Sequence, residues 1–397
     1  MPRVTASFGS FLLNSMHITA NVAGRGFARL EIKGREIADV RILGPIEAEH
    51  PFVSAGFVDI QINGFAGIDF SDPQLDASKA ASILPFLWQT GVTTFCPTLI
   101  TNSIEALRKN LRILEAARRL HPKFGEAVPC FHLEGPYLSS GGGRGAHDPR
   151  LMKNPDWQEF SSLQEAAGGN IGIVTLAPEL PGAFEFIRKA SASGVLVAIG
   201  HTDATPEQIH LAVQAGAKLS THLGNGCANL IHRHQNPLWA QLADNKLSAS
   251  LICDGFHLPA DLIKVAHQAK GIERCVLITD AVYVAGLDPG RYRLVTREIE
   301  LLPTGQVVTE DRQNMAGSAL TMNRAIAVFS ESAGVSLGDA LQAATVNPAR
   351  LLGRGSVCTE LEPRQPANIV IFRPERNTLR IEKVLFQGEI VYARPQS

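Results

Sequence analysis

Neither sign of charge dominates this chain. Lys and Arg together number 37 and Asp and Glu 38, a formal net charge of -1, which excludes the basic footprint of a nucleic-acid binder and a polybasic membrane anchor. Charge is scarce altogether, at 19% against roughly 25% in an average soluble domain. No apolar run approaches the ~18 residues of a membrane span. The opening MPRVTASFGSFLLNS has one Arg and a broken apolar stretch, a poor signal peptide. The six cysteines (Cys96, Cys130, Cys227, Cys253, Cys275, Cys358) include no CxxC pair, so a reduced, cytoplasmic protein is expected. There is no repeat of fixed period, and Gly141-Gly142-Gly143 is the sole low-complexity patch. What the chain does have is apolar substance: hydrophobic residues make up 45% of 397 and mean hydropathy is +0.04. That is enough for a large core and rules out wholesale disorder.

The two ends read as β. Leu30 and Ile32 flank Glu31, Lys33-Gly34-Arg35 makes a turn, and Ile37, Val40 and Ile42 resume the alternation. Far downstream come Ile369 to Phe372, then Leu379, Ile381 and Val384 to Phe386, a Gln387-Gly388 turn, and Ile390 to Tyr392. Neither end can fold alone, so residues 1–55 and 355–397 are expected to form two halves of one small β-sandwich domain. Between them, residues 56–354 have another rhythm. Short runs rich in Val and Ile recur eight times: 57–63, 92–96, 128–134, 171–175, 195–201, 218–222, 248–254 and 275–280. Near-continuous apolar runs suit strands buried on both faces, as in a parallel sheet. Helical patterns lie between them. Ile104, Leu107, Leu111 and Leu114 share a face, and Thr205-Pro206-Glu207-Gln208 is a capping box closed by Gly216. Strand then helix, eight times, is the pattern of an α/β (β/α)₈ TIM barrel. A doubly wound open sheet is the alternative, but no GxGxxG or GxxxxGK[ST] follows any run.

Catalytic residues of such barrels sit at the carboxyl ends of strands. Those ends carry Gln61 and Asn63, Glu134, His201, His222, His257 and Asp280. Two imidazoles and a carboxylate suit zinc, iron or a similar divalent ion with a place left for water. A carboxylate such as Asp280 can take a proton from metal-bound water and pass it to a leaving group, although Thr279-Asp280 could also merely cap a helix. His17, His50, His121, His210 and His267 read as ordinary histidines. His232-Arg233-His234 has HxH spacing in a loop of Asn and Pro, which reads better as a polar substrate or interface loop than as a metal site. Gly141 to Gly145 could cradle phosphate, but glycine clusters are usually plain loop.

On these residues the chain resembles the amidohydrolase superfamily and, within it, the N-acetylglucosamine-6-phosphate deacetylases. The matching segments run in order over almost the whole chain: Gly56 to Gly64, Pro97 to Thr101, His132 to Tyr137, Gly145 to Pro149, Leu176 to Glu179, Gly200 to Ala204, Thr221 to Leu223, Asp254 to His257, Thr279 to Ala281, and Gly317-Ser318. The resemblance implies Glu134, His201 and His222 as metal ligands and Asp280 as catalytic acid and base. It implies His257 as the group that polarises the acetyl carbonyl and steadies the oxyanion. Ala146, His147, Asn225, Gly226, Met315, Ala316 and Gly317 match sugar-phosphate contacts, and Arg233 matches an arginine that reaches the phosphate. The implied reaction is attack of metal-bound water on the N-acetyl carbon, then protonation of the amine, releasing acetate and glucosamine 6-phosphate. A homodimer is implied as well.

The chain also departs from that pattern. Where many amidohydrolases carry HxH and two metals, it has Gln61-Ile62-Asn63. Neutral amides are poor ligands for a second transition metal, so one divalent ion per chain is expected, zinc first, with Fe²⁺, Co²⁺ or Mn²⁺ open to the same ligands. After His222 stands Gly224-Asn225-Gly226-Cys227-Ala228-Asn229 in place of an aromatic followed by Asn-Ala-Met-Pro, and the loop past Arg233 is one residue longer. Those changes keep open a different N-acyl amino sugar or a cyclic amide as substrate. A non-catalytic barrel is argued against by the intact Glu134, His201, His222 and Asp280.

Overall fold

A computed structural model describes residues 15–294, 297–312, 314–353 and 360–395. The terminal segment read as a poor signal peptide, except its last residue Ser15, and Cys358 both lie outside the described residues. So does the expected domain boundary at 355.

Eight strands form one sheet in chain order: β1 (Phe57–Ile62), β2 (Val92–Ile100), β3 (Phe131–Glu134), β4 (Ile171–Leu176), β5 (Leu196–Ile199), β6 (Leu219–Ser220), β7 (Ser248–Leu251) and β8 (Cys275–Leu277). Every neighbouring pair is parallel. A parallel bridge between Ile62 and Ala281 joins the last strand to the first, with Asp280 N–H donating to the Gln61 carbonyl at 2.9 Å and Asn63 N–H to that of Ala281 at 2.8 Å. The sheet is a nearly closed barrel. All residues of β1, β3, β4, β5 and β7 are buried, which is why these runs show no alternation.

The surrounding helices follow the sequence patterns. Helix Ile104–Leu120 buries Leu107, Leu111, Leu114 and Ala117, and Ser103 caps it. Helix Pro206–Ala215 has both hydrogen bonds of the Thr205–Gln208 capping box, with Gly216 at φ 125° ending it.

The chain ends meet in a seven-stranded sheet. Strand Phe52–Ala55 is its pivot, parallel to Ser15–Val22 and antiparallel to Ile369–Glu375. The sheet then curls over: Ile37 N–H donates to Gln365 O at 2.9 Å, and Ala367 N–H to Arg35 O at 2.8 Å. Ile18, Leu30, Ile32, Ile37, Ile369 and Leu385 fill the space between its two sides, giving the sandwich. Its two hairpin turns touch so closely that a Cβ on Gly388 would lie 1.9 Å from Gly34 O. At Gly56 the chain passes from this sheet to the barrel, donating to Asn368 O at 2.9 Å.

One element was not expected. After β8 a meander of Gly290–Leu294, Arg297–Leu301 and Val307–Thr309 forms a three-stranded sheet, with Val282, Val284, Ile299, Leu301, Val307 and Ala316 as its own small core. Its strands are short, and they interrupt the chain between β8 and the helix Met322–Ala333.

Candidate active site

The polar residues at the strand ends converge. Glu134 Oε1 lies 2.9 Å from His222 Nε2 and 3.3 Å from His201 Nε2, and one ligand atom from each of the three falls within 4.8 Å of the others. No other such group occurs among the described residues. All three are buried. Burial opposes ionisation of Glu134, but hydrogen bonds from His201 and His222 hold its carboxyl well below the usual range. His201 Nδ1 stands 3.0 Å from the carbonyl of Gly143, an acceptor, so Nδ1 carries a proton and Nε2 is the nitrogen on the Glu134 side. His222 presents Nε2 to the same carboxylate, and its Nδ1 is buried with no hydrogen-bond partner. Two imidazoles and one carboxylate around a common centre fit a divalent ion of borderline softness.

Asp280 stands beside this group. Asn63 Nδ2 donates to its Oδ1 at 2.7 Å, and Gln61 Nε2 reaches Glu134 Oε1 at 2.8 Å and Asp280 Oδ1 at 3.4 Å. The two amides thus occupy the space between the carboxylates. Burial, then the charge of Glu134, pushes the Asp280 carboxyl up to about 6. His201, His222 and Asp280 have φ of 49°, 31° and 49°, a left-handed backbone that L-residues adopt only when surroundings impose it. Beneath them Asp59 accepts from Thr279 Oγ1 at 2.5 Å and from Gln61 N–H at 3.2 Å, tying the ends of β1 and β8.

Above the triad opens a cavity of ≈ 510 Å³. Glu134, His201, His222, His257 and Asp280 line it, with Ala146, His147, Asn225, Met315, Ala316 and Gly317. His147 Nδ1 is 2.8 Å from Thr101 Oγ1, and its ring centroid is 4.4 Å from that of His201. Two expected contacts lie elsewhere. Gly226 is packed behind the ligands, where a Cβ would come within 2.6 Å of His201 N and 3.2 Å of His222 Cε1; its place is to let the ligands approach. Arg233 is exposed and outside the lining, although Asn229 and Ile231 of the same loop belong to it. His232 spends its Nδ1 on the backbone N–H groups of His234 and Gln235, a local turn.

Other lining residues escaped the sequence. Ile299 and Thr309 come from the meander and Asn314 from the turn after it, whose position over the barrel mouth is a tertiary fact. The glycine cluster read as loop supplies the Gly143 carbonyl that orients His201.

A model of the amidohydrolase family matches residues 52–392. The chain belongs to the amidohydrolase family. Its relatives include the N-acetylglucosamine-6-phosphate deacetylase of Danio rerio, 34% identical over 360 residues, which cover 88% of this chain and 86% of that protein. An N-acetylgalactosamine-6-phosphate deacetylase of Escherichia coli O157:H7 is 32% identical over 346 residues, covering 87% and 89%. Among solved structures, a mutant N-acetyl-D-glucosamine-6-phosphate deacetylase of Mycobacterium smegmatis in complex with N-acetyl-D-glucosamine-6-phosphate has a TM-score of 0.86 at 30% identity. That likeness covers 95% of this amidohydrolase and 99% of the other chain. The Thermotoga maritima N-acetylglucosamine-6-phosphate deacetylase gives 0.84 at 26%, covering 96% and 100%.

Proposed function

We propose that this amidohydrolase removes the acetyl group of N-acetylglucosamine 6-phosphate by hydrolysis, releasing glucosamine 6-phosphate and acetate. The observation that carries the reading is the buried Glu134–His201–His222 group with Asp280 beside it, at the floor of a cavity of ≈ 510 Å³. Glu134, His201 and His222 would hold one divalent ion, zinc first, with iron, cobalt or manganese accepted by the same ligands. When bound, such an ion supplies Lewis acidity and a water of lowered pKa. Asp280 takes the proton of the attacking water and returns it to the amine nitrogen as the C–N bond breaks. Asn63 and Gln61 hold its Oδ1 during both transfers. His257, on the cavity wall, donates to the acetyl oxygen as negative charge develops there. Ala146, His147, Asn225 and Met315 to Gly317 meet the sugar and its phosphate.

The same proposal includes a division into a β domain of residues 1–55 and 355–397 and a barrel of 56–354, a cytoplasmic setting and a homodimer. The free thiols of Cys227, Cys253 and Cys275 support the setting, and no described helix is long and apolar enough to cross a membrane. Leu230, Ile231 and Trp239, exposed at 93%, 38% and 49%, support an interface beside the cavity mouth. Arg233 stands in that patch as the phosphate anchor. Sedimentation of the wild type and of a Leu230→Asp variant tests the dimer.

Acetate release from N-acetylglucosamine 6-phosphate, with added metal and with chelator, tests the central reading. Metal-dependent turnover is expected, falling on unphosphorylated N-acetylglucosamine and, for Arg233→Ala, on the phosphate ester alone. Equal rates on both sugars would overturn the phosphate reading. The Escherichia coli relative favours a second reading, N-acetylgalactosamine 6-phosphate as the better substrate, and the ratio of kcat/KM for the two epimers decides between them.

A further inference from the structure

His257 closes the turn that follows β7, and Asp254 opens it. Asp254 Oδ1 accepts the backbone N–H groups of Phe256 and His257, both at 2.8 Å, while Oδ2 lies 2.6 Å from His257 Nδ1. Both side chains are withdrawn from solvent, 8% exposed for Asp254 and 7% for His257. Arg324 staples the turn to helix Met322–Ala333, donating to the Asp254 carbonyl at 3.3 Å, with its guanidinium 6.0 Å over the Phe256 ring. Burial opposes ionisation of Asp254, but the hydrogen bond and charge of His257 outweigh it and hold the carboxyl below the usual carboxylate range. Oδ1 is occupied by the backbone, so Oδ2 is the oxygen that meets the ring. A nitrogen against a carboxylate carries a proton, and Nε2 is left for the cavity that His257 lines.

A carbonyl oxygen needs a donor. A neutral ring protonated at Nδ1 offers only a lone pair at Nε2. With Asp254 on Nδ1, a His257 ring that donates through Nε2 is therefore one protonated at both nitrogens.

We propose that Asp254 is a positioning residue of the deacetylation: it locks the His257 ring through Nδ1–H and sustains the imidazolium whose Nε2–H donates to the acetyl oxygen. The proposal rests on the deacetylase reading above and adds to it the charge state of the donor. No bond to the ring forms, and both ring protons remain on it when the oxyanion collapses.

The test uses the zinc-loaded full chain. Asp254→Asn preserves shape, and its single oxygen can still serve the two backbone donors. Its amide N–H then faces Nδ1 and drives the ring to the neutral Nε2–H form, as in triads whose aspartate is replaced. Acetate release from N-acetylglucosamine 6-phosphate is expected to lose on the order of 10²-fold in kcat, with KM and zinc content little changed. In a His257→Ala background the same substitution is expected to cost less than about twofold, because Asp254 acts through the ring. Histidine ¹⁵N shifts should show both His257 nitrogens protonated in the wild type and Nδ1 unprotonated in Asp254→Asn. Near-normal turnover of Asp254→Asn, losses that add in the double variant, or a neutral wild-type ring would each overturn the proposal. Should the wild type release no acetate, the deacetylase reading fails, and the ¹⁵N spectrum still decides the dyad.

Discussion

Asp280 lies between opposed demands. Burial and the nearby Glu134 charge raise its carboxyl to about 6, while the Asn63 hydrogen bond works the other way. A carboxyl that changes state near 6 can accept a proton from water and return it to an amine. Asp280→Asn should keep bound metal, because the three ligands remain, and lose roughly 10²–10⁴-fold in kcat. Metal analysis alongside acetate release checks this, and full turnover in a metal-loaded variant would remove Asp280 from the reaction. Asp59 makes a different prediction, about stability. Burial raises its carboxyl from 3.8 to about 7, so the folded chain holds this proton more tightly than the unfolded chain. That stabilisation is complete below 3.8 and lost as pH rises through about 7, a loss on the order of 4 kcal/mol at 1.36 kcal/mol per unit. The nearly isosteric Asp59→Asn does not titrate. Its stability relative to wild type should climb between about pH 4 and 8 in urea unfolding, and parallel pH profiles would contradict this.

At the scale of elements, the strand ends do the positioning. His201, His222 and Asp280 each leave the barrel in a left-handed conformation, which turns the side chain towards the axis. The 3₁₀ turn Gly142–Arg144 then packs over His201. Its glycines permit the approach: a Cβ on Gly143 would lie 2.7–2.8 Å from the Thr202 backbone. Gly143→Ala should push the carbonyl off His201 Nδ1 and weaken metal binding about 10–100-fold, the usual cost of losing a partner that orients a ligand. Titration of the apo protein with zinc measures this. Unchanged affinity would mean that His201 keeps its orientation without the turn.

Across the whole molecule, the β sandwich is fastened to the barrel by aromatics. The Phe372 ring centroid lies 6.1 Å from that of Phe52 and 6.5 Å from Phe57, and Trp88 and Phe386 are 5.9 Å apart. Phe372 is fully buried, so Phe372→Ala should cost about 3–5 kcal/mol. Thermal unfolding followed by circular dichroism would read this as a lower Tm, far from the catalytic groups. A Tm equal to wild type would mean that the two parts are held together elsewhere. Metal adds a separate increment: at free zinc 100-fold above Kd the folded state gains about 2.7 kcal/mol, visible as a Tm that rises with zinc and falls with chelator.

Periodicity carried much of this protein. Parallel strands buried on both faces write themselves as continuous apolar runs, so the barrel from Phe57 onward is legible in the sequence. Chemistry at the end of each run was legible for the same reason: a polar residue closing a buried strand has nowhere to point but the mouth. Glu134, His201, His222 and Asp280 were found that way, and the structure brings them together. Three things had no local signal. The Gly143 carbonyl on His201 is a backbone atom, which no residue type announces. The Asp254–His257 pair is visible as letters three apart, but only the turn aims one at the other. Arg233 matches a phosphate ligand by its place in the chain, but nothing in the residues around it says that it stands exposed beside the cavity rather than in its lining. Strand order and chemical type follow from short-range patterns, whereas the direction in which a loop residue points depends on what packs behind the loop. Only the tertiary structure decides that.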